Sequence, residues 1–208
     1  MTDGLLFVLS EPGAVPEAEF HDWYDNEHAP ARLTVPGIRG GVRYRAADGE
    51  VPTWLAYYEL ALEALHSPEY AAVAVRSPRE RQVVAALATL DRRVYELVDD
   101  SGEIRSEPAP LVVCVALTSE RPGELAAWYR EEHVPLLLDI PGWRRTRRYR
   151  RREGAGPDHL ALHEVDDPAV FESSAYAAAT STPRRKRTLA AVTDRSRRVF
   201  TYHRTVGE

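Results

Sequence analysis

Two short stretches combine residue types that could do chemistry. Trp23-Tyr24-x-x-Glu27-His28-x-Pro30 is matched by Trp128-Tyr129-x-x-Glu132-His133-x-Pro135. An imidazole with an ordinary pKa of about 6.5 can give or take a proton near neutrality, and a neighbouring carboxylate can fix its tautomer. The expected catalytic set is therefore His28 and His133, oriented by Glu27 and Glu132. On a helix, Tyr24 and His28 are four apart, as are Trp23 and Glu27, so the two pairs form neighbouring stripes on one flank. Trp23, Tyr24, Trp128 and Tyr129 would then wall a pocket for a small aromatic ligand. A helix C-terminus favours a protonated ring, which suits a general acid or a binder of carboxylates and phenolates. The competing reading is structural: the tryptophans anchor a helix to a sheet, while Glu and His satisfy backbone groups around a proline break. Adjacent Glu27 and His28 diverge by about 100° around a helix, a poor chelate, so no metal is expected. The chain also lacks zinc spacing, a glycine-rich nucleotide loop and a serine elbow, and no cofactor is expected.

Other residues are secondary. Tyr44 and Tyr149 fall in strand-like runs and either line the pockets or fill the core. Glu59 and Glu164 sit in apolar strands and need partners, for which Arg43 or Arg148 is available on the next strand. His159 and His163 share a strand face where the first half has Trp54 and Tyr58, so their chemistry would be confined to the second half.

The elements that must position these groups occur twice. Trp23 to Arg45 aligns without a gap on Trp128 to Arg150, with twelve of 23 positions identical and every pair 105 residues apart. The offset continues through Glu59/Glu164, Pro78/Pro183 and Arg92-Arg93-Val94/Arg197-Arg198-Val199, marking a tandem duplication. Pairs such as Ile38/Trp143 and Gly41/Thr146 differ, which predicts two pockets of different shape. Apolar, β-branched runs at Leu5 to Leu9 and Leu111 to Leu117 predict first strands. A helix follows from Pro16 (from Pro122 in the second half), ending or kinking just after His28 and His133, because Pro30 and Pro135 disfavour helical geometry in the preceding residue. Second strands are expected at Arg39 to Arg45 and Arg144 to Arg150, third strands at Thr53 to Leu60 and Asp158 to Val165. Ser67-Pro68, Ser77-Pro78, Asp167-Pro168 and Thr182-Pro183 each place a capping side chain before a proline and can each start a helix. Arg92 to Val98 and Arg197 to His203 close the halves. The order is that of a ferredoxin-like βαββαβ unit, class α+β. The expected division is 1–98 for the first module, 99–110 for a linker and 111–208 for the second.

On the repeated Trp-Tyr-x-x-Glu-His-x-Pro motif and the following Pro36-Gly37 and Pro141-Gly142, the chain resembles the dimeric α/β-barrel superfamily, most of all its EthD-like branch. The resemblance implies two ferredoxin-like modules forming one intramolecular, pseudo-dimeric α/β barrel, with a ligand pocket between helices and sheet in each. It also implies a lyase- or isomerase-type enzyme without a cofactor, moving a proton in the dehydration, isomerisation or cyclisation of a small aromatic or polyketide-like metabolite. A non-catalytic binding or sequestering protein and a cofactor-free monooxygenase are the alternatives it leaves.

Composition bounds the partners. The 208 residues are 44% hydrophobic and 28% charged, enough apolar content for a core and too much for disorder. The net charge of −5 divides into −9 for residues 1–107 and +4 for 108–208. The run Arg144 to Glu153 holds seven arginines, yet without a recognition motif and with a pI near 5.8 nucleic acid is not an expected partner. The arginines are expected to meet acidic residues of the first half or to draw in an anionic small ligand. No apolar run approaches the roughly 18 residues a membrane span needs, and no secretory leader is evident, so a cytoplasmic monomer with pseudo-twofold symmetry, or a homodimer, is expected. The single Cys114 lies in an apolar run and is expected to be a buried hydrophobe.

Overall fold

The computed structural model describes residues 2–207. In the first half, strand β1 (Asp3–Glu11) pairs antiparallel with β3 (Trp54–Ala61), Leu6 opposite Tyr58, and with β4 (Thr89–Gly102), Leu6 opposite Val94. Strand β2 (Ile38–Ala46) joins the far side of β3, Gly41 opposite Tyr58. The sheet order is thus β2-β3-β1-β4. In the second half β5 (Leu111–Ser119) lies between β7 (His159–Val165) and β8 (Val192–Thr205), and β6 (Trp143–Glu153) pairs with β7, Thr146 opposite His163. Its order, β6-β7-β5-β8, repeats the first. Both halves therefore realise the βαββαβ sequence of elements. β1 and β5 are buried on both faces, which is why they read as continuous apolar runs. Cys114 is among their buried side chains.

The motif helix runs on past the point where an end or a kink is expected. Helix α1 (Glu17–Trp23) does not stop after His28; it runs into a π-helical turn, Tyr24–His28, and on into α2 (Ala29–Leu33). The second half repeats this with α5 (Pro122–Trp128), a π turn at Tyr129–His133 and α6 (Val134–Leu138). The backbone N–H of Ala29 reaches the carbonyl of Tyr24, five residues back, and the Val134 N–H reaches Tyr129 in the same way. Pro30 and Pro135 follow at the first positions of the next α segment, where a missing N–H costs least. The prolines are absorbed by a widened turn and do not end the helix, and such turns recur at functional sites.

The remaining helices begin where the capping signals stand. Ser67 accepts from the Tyr70 N–H at the start of α3 (Pro68–Val73), Ser77 from Glu80 at α4 (Pro78–Ala86), and Thr182 from Arg185 at α8 (Pro183–Leu189). Asp167 caps only a 3-10 turn, Pro168–Glu172. Helix α7 (Ser174–Ala179) starts instead from Ser173, which lacks a following proline.

The chain separates into two compact units, residues 1–97 with 152–155 and 202–208, and residues 98–151 with 156–201. The expected linker 99–110 is shorter than its composition suggests, because Asp99 to Gly102 continue β4 and the Glu103 N–H bonds to the Arg144 carbonyl. Within the first unit the helices cover the sheet face that carries Leu6, Trp54, Ala56 and Tyr58, enclosing Phe20, Trp23, Tyr24 and Val83. In the second unit Leu125, Trp128, Tyr129 and Val134 pack on Leu117 and Ala161. Among the described residues no helix is long and apolar enough to cross a membrane.

Candidate functional site

Each unit holds a cavity between its helices and its sheet, and the motif residues line both. The first, about 90 Å³, is bordered by Trp23, Tyr24, His28, Tyr58 and Glu80 among others; the second, about 40 Å³, by Trp128, Tyr129, His133 and His163. Tyr44 and Tyr149 line neither. Strand alternation puts Tyr44 on the face opposite Arg43, and it is the Arg43 face that the helices cover. Tyr44 stacks on Tyr57 at 5.8 Å between ring centres and is core, as is Tyr149.

In the first unit the partner of His28 is not Glu27 but Glu80, on α4. His28 Nδ1 lies 2.9 Å from Glu80 Oε1, with the Arg32 guanidinium 3.8 Å from the same oxygen. Glu80 is 7% exposed. The hydrogen bond from His28 holds its carboxyl below the usual range, so it is ionised at neutral pH and only accepts. The shared proton therefore sits on Nδ1, and Nε2 carries the lone pair, with no protein partner among the described residues. Burial lowers the His28 pKa, outweighing the opposing pull of Glu80, so the ring is neutral at pH 7. Beside it, the Tyr24 and Tyr58 hydroxyls are 2.9 Å apart and buried. Burial raises both phenol pKa values, Tyr58 well above the ordinary one, so both stay protonated. One hydroxyl donates to the other, which leaves one phenolic proton unspent.

Glu27 instead accepts a short hydrogen bond from the Ser77 hydroxyl, with Arg79 3.9 Å away. Glu132 does the same with Thr182, at 2.5 Å, and also accepts from Trp128 Nε1 at 3.1 Å. The motif glutamate thus ties the π turn to the N-cap of the last helix in both halves. It positions that helix, and its hydrogen bonds among the described residues go to the cap hydroxyl and, for Glu132, to Trp128, not to the imidazole.

The second unit differs at the decisive positions. Under the 105-residue offset Glu80 corresponds to Arg185, so His133 has no carboxylate partner and its Nδ1 is buried without any partner. Burial, then Arg185, push its pKa down to about 4, against the opposing pull of the Ala179 backbone carbonyl, toward which the ring donates. Ile38, Gly41 and Tyr58 become Trp143, Thr146 and His163, and the three change together for a steric reason. A Cβ at Gly41 would come within 2.6 Å of the Tyr58 ring. With the smaller imidazole opposite, Thr146 fits and bonds His163 Nδ1 at 2.9 Å, while Trp143 Nε1 lies 3.2 Å from the Thr146 hydroxyl.

The arginine run is largely spent on ion pairs. Arg144 pairs with Asp166, Arg145 with Asp100, Arg148 with Asp99, Arg151 with Asp158 and Arg152 with Glu96. Glu164 pairs with Arg147 at 2.7 Å and not with Arg148, because the two arginines point to opposite faces of β6. Arg43 likewise lies on the face opposite Glu59, over the Trp54 ring. It donates to Asp25 at 2.6 Å, meets His21 Nδ1 at 3.0 Å and lies 4.2 Å from the Tyr24 ring centre. Among the described residues His21, Asp25 and His203 bring potential metal-ligand atoms within 4.8 Å of one another. The Arg43 guanidinium already occupies two of these and would oppose a cation there.

No protein-family model matches the chain, and no curated protein matches it. Solved structures do. An anthrone oxidase-like protein superposes with a TM-score of 0.68 at 13% identity, covering 100% of this chain and 94% of its own. The chlorite dismutase of Candidatus Nitrospira defluvii gives 0.61 at 10% identity, covering 97% and 91%. A monooxygenase-like protein from Listeria innocua gives 0.56 at 13%, covering 97% and 95%. At such identities these likenesses show the fold alone.

Proposed function

We propose that this chain is a small-molecule enzyme whose first cavity performs acid/base chemistry with His28 as general base. The observation that carries the proposal is the Glu80–His28 pair: an ionised carboxylate fixes a neutral imidazole in the tautomer whose lone pair is unspent. This is the geometry that makes an imidazole accept a proton on demand. His28 Nε2 would take a proton from a carbon or hydroxyl of the substrate, and the unspent phenolic O–H of the Tyr24–Tyr58 pair would donate to the oxygen on which charge accumulates. Returning the proton to a different atom gives an isomer or closes a ring; transferring it to a departing hydroxyl releases water. The apolar wall of Trp23 and Phe20 favours an aromatic or otherwise unsaturated substrate.

The size of the cavity narrows the substrate class. About 90 Å³ is below the roughly 150 Å³ of a cavity known to hold benzene. A one-ring compound enters only with adjustment of the lining, and a multi-ring polyketide exceeds the space. The fold reading that accompanies this function is a gene-fused pair of modules closing as one pseudo-dimeric barrel of the EthD-like kind; full-length superposition on solved structures of this fold supports it. The test begins with a thermal-shift screen of single-ring phenols and 1,3-dicarbonyl compounds, followed by turnover assays of the hits. His28→Gln should keep ligand affinity within threefold and lower kcat by about 10²-fold or more. Unchanged turnover would refute the base, and ligand binding with no turnover in the wild type would favour the non-catalytic reading.

A further inference from the structure

The second cavity differs from the first in what it leaves unpaired. In the first, Tyr24 bonds Tyr58 and His28 bonds Glu80, which also lies near Arg32, so that only the His28 Nε2 lone pair and one phenolic proton are unspent among these groups. In the second, the Tyr129 hydroxyl makes no hydrogen bond with the described residues, because the Tyr58 counterpart is His163. His133 Nδ1 is also without a partner. Trp143 Nε1 is only a donor, so the Thr146 oxygen accepts from it and turns its second lone pair or its own proton toward His163 Nδ1, a contact that fits either tautomer of the ring. When Thr146 donates, His163, 2% exposed, presents an Nε2–H that no described residue accepts.

Charge points the same way. Arg185, Arg195 and Arg197 line this cavity, and none has a carboxylate partner among the described residues. Arg185 is half-buried, and burial and then Arg195 lower its pKa, the mark of cations held together without an anion. No Asp or Glu among the described residues lines the space. At the matching positions the first unit has Glu80, Leu90 and Arg92, and Arg92 is paired with Glu153.

We infer that the second cavity is a binding site for a small organic carboxylate, its oxyanion held by Arg185 and the His163 Nε2–H and its apolar part set against Val113, Leu117 and Trp143. This site is independent of the base assigned to His28. At about 40 Å³ it takes a short chain or one ring only with adjustment of the lining.

The test is calorimetric titration of the full chain with sodium butyrate, sodium benzoate and sodium nitrate at constant ionic strength. The wild type should bind butyrate or benzoate saturably, and nitrate at least tenfold more weakly. Arg185→Gln and His163→Gln should each weaken carboxylate binding at least tenfold, and Arg185→Glu, which restores the charge found in the first unit, should abolish it. Arg184→Gln, which removes a partly exposed arginine paired with Glu131, should leave it within twofold. Circular dichroism and melting curves establish that each variant is folded. The inference is overturned by absence of saturable binding of either carboxylate, by equal binding of nitrate, or by equal losses in Arg184→Gln and Arg185→Gln. Should His163→Gln unfold, Thr146→Val serves instead, since it frees the ring to take the other tautomer; undiminished binding in it would overturn the role of the His163 donor.

Discussion

Acidification should destabilise the fold through His133 by an amount the structure sets. The ring is 8% exposed, stacked on Trp128 at 4.3 Å, and its pKa is down to about 4. In the unfolded chain an imidazole titrates near 6.5. A depressed folded-state value means that the stability is complete above pH 6.5 and is lost as the pH falls toward 4, where the unfolded chain binds a proton the folded chain refuses. Integrating the proton linkage from pH 7.5 to pH 5 gives about 2 kcal/mol for this one group. Other buried histidines act in the same direction, so the measurement must isolate His133. Urea unfolding of wild type and His133→Gln at both pH values does so. The substitution carries a pH-independent packing cost, and the advantage of the wild type over the variant should shrink by about 2 kcal/mol at pH 5. A difference that stays constant within about 0.5 kcal/mol across this range would refute the reasoning, because it would mean that His133 protonates in place without penalty.

Three further outcomes separate the roles assigned to the motif residues. Glu80→Gln should lower kcat on any identified substrate by 10-fold or more with little change in KM, since it releases the His28 tautomer and leaves the apolar wall intact; pH-rate profiles report the change in the base. Glu27→Gln should leave kcat within twofold and cost about 1 kcal/mol in urea unfolding, because it weakens the tie to Ser77 and Arg79 only. Tyr58→Phe should cost about 1–2 kcal/mol, leaving the Tyr24 hydroxyl buried without its partner, and should lower kcat where the phenolic proton assists.

The fold was legible because local signals agreed. Strand runs, serine and threonine caps before prolines and the 105-residue echo all indicate the same element order, and the structure has it. Pro30 and Pro135 predict an end or a kink just after His28 and His133; the helix does not end there, and the irregularity takes the form of a π turn ahead of each proline. The motif's imidazoles both line cavities, while the carboxylate bonded to His28 is Glu80 and not the motif's Glu27. Glu27 is adjacent in sequence, whereas Glu80 comes from a helix 52 residues on, and nothing local distinguishes it from the other acidic residues. The repeat itself held the missing signal, since the offset sets Glu80 against Arg185 within otherwise similar capped helices. Likewise Gly41/Thr146 and Ile38/Trp143 were visible as differences, but their cause appears only when Tyr58 and His163 are seen as their neighbours. Tyr44 and Tyr149 were placed on the correct strands, and only the helix packing reveals that their face is not the one the cavities use.

The protonation state of the His28 ring tests the central claim most directly. Long-range proton–nitrogen correlation spectra at pH 7 should show a neutral ring with the proton on Nδ1 and an unprotonated Nε2, with the preference lost in Glu80→Gln. An imidazolium, or a neutral ring protonated on Nε2, would contradict the assignment of His28 as the base held by Glu80.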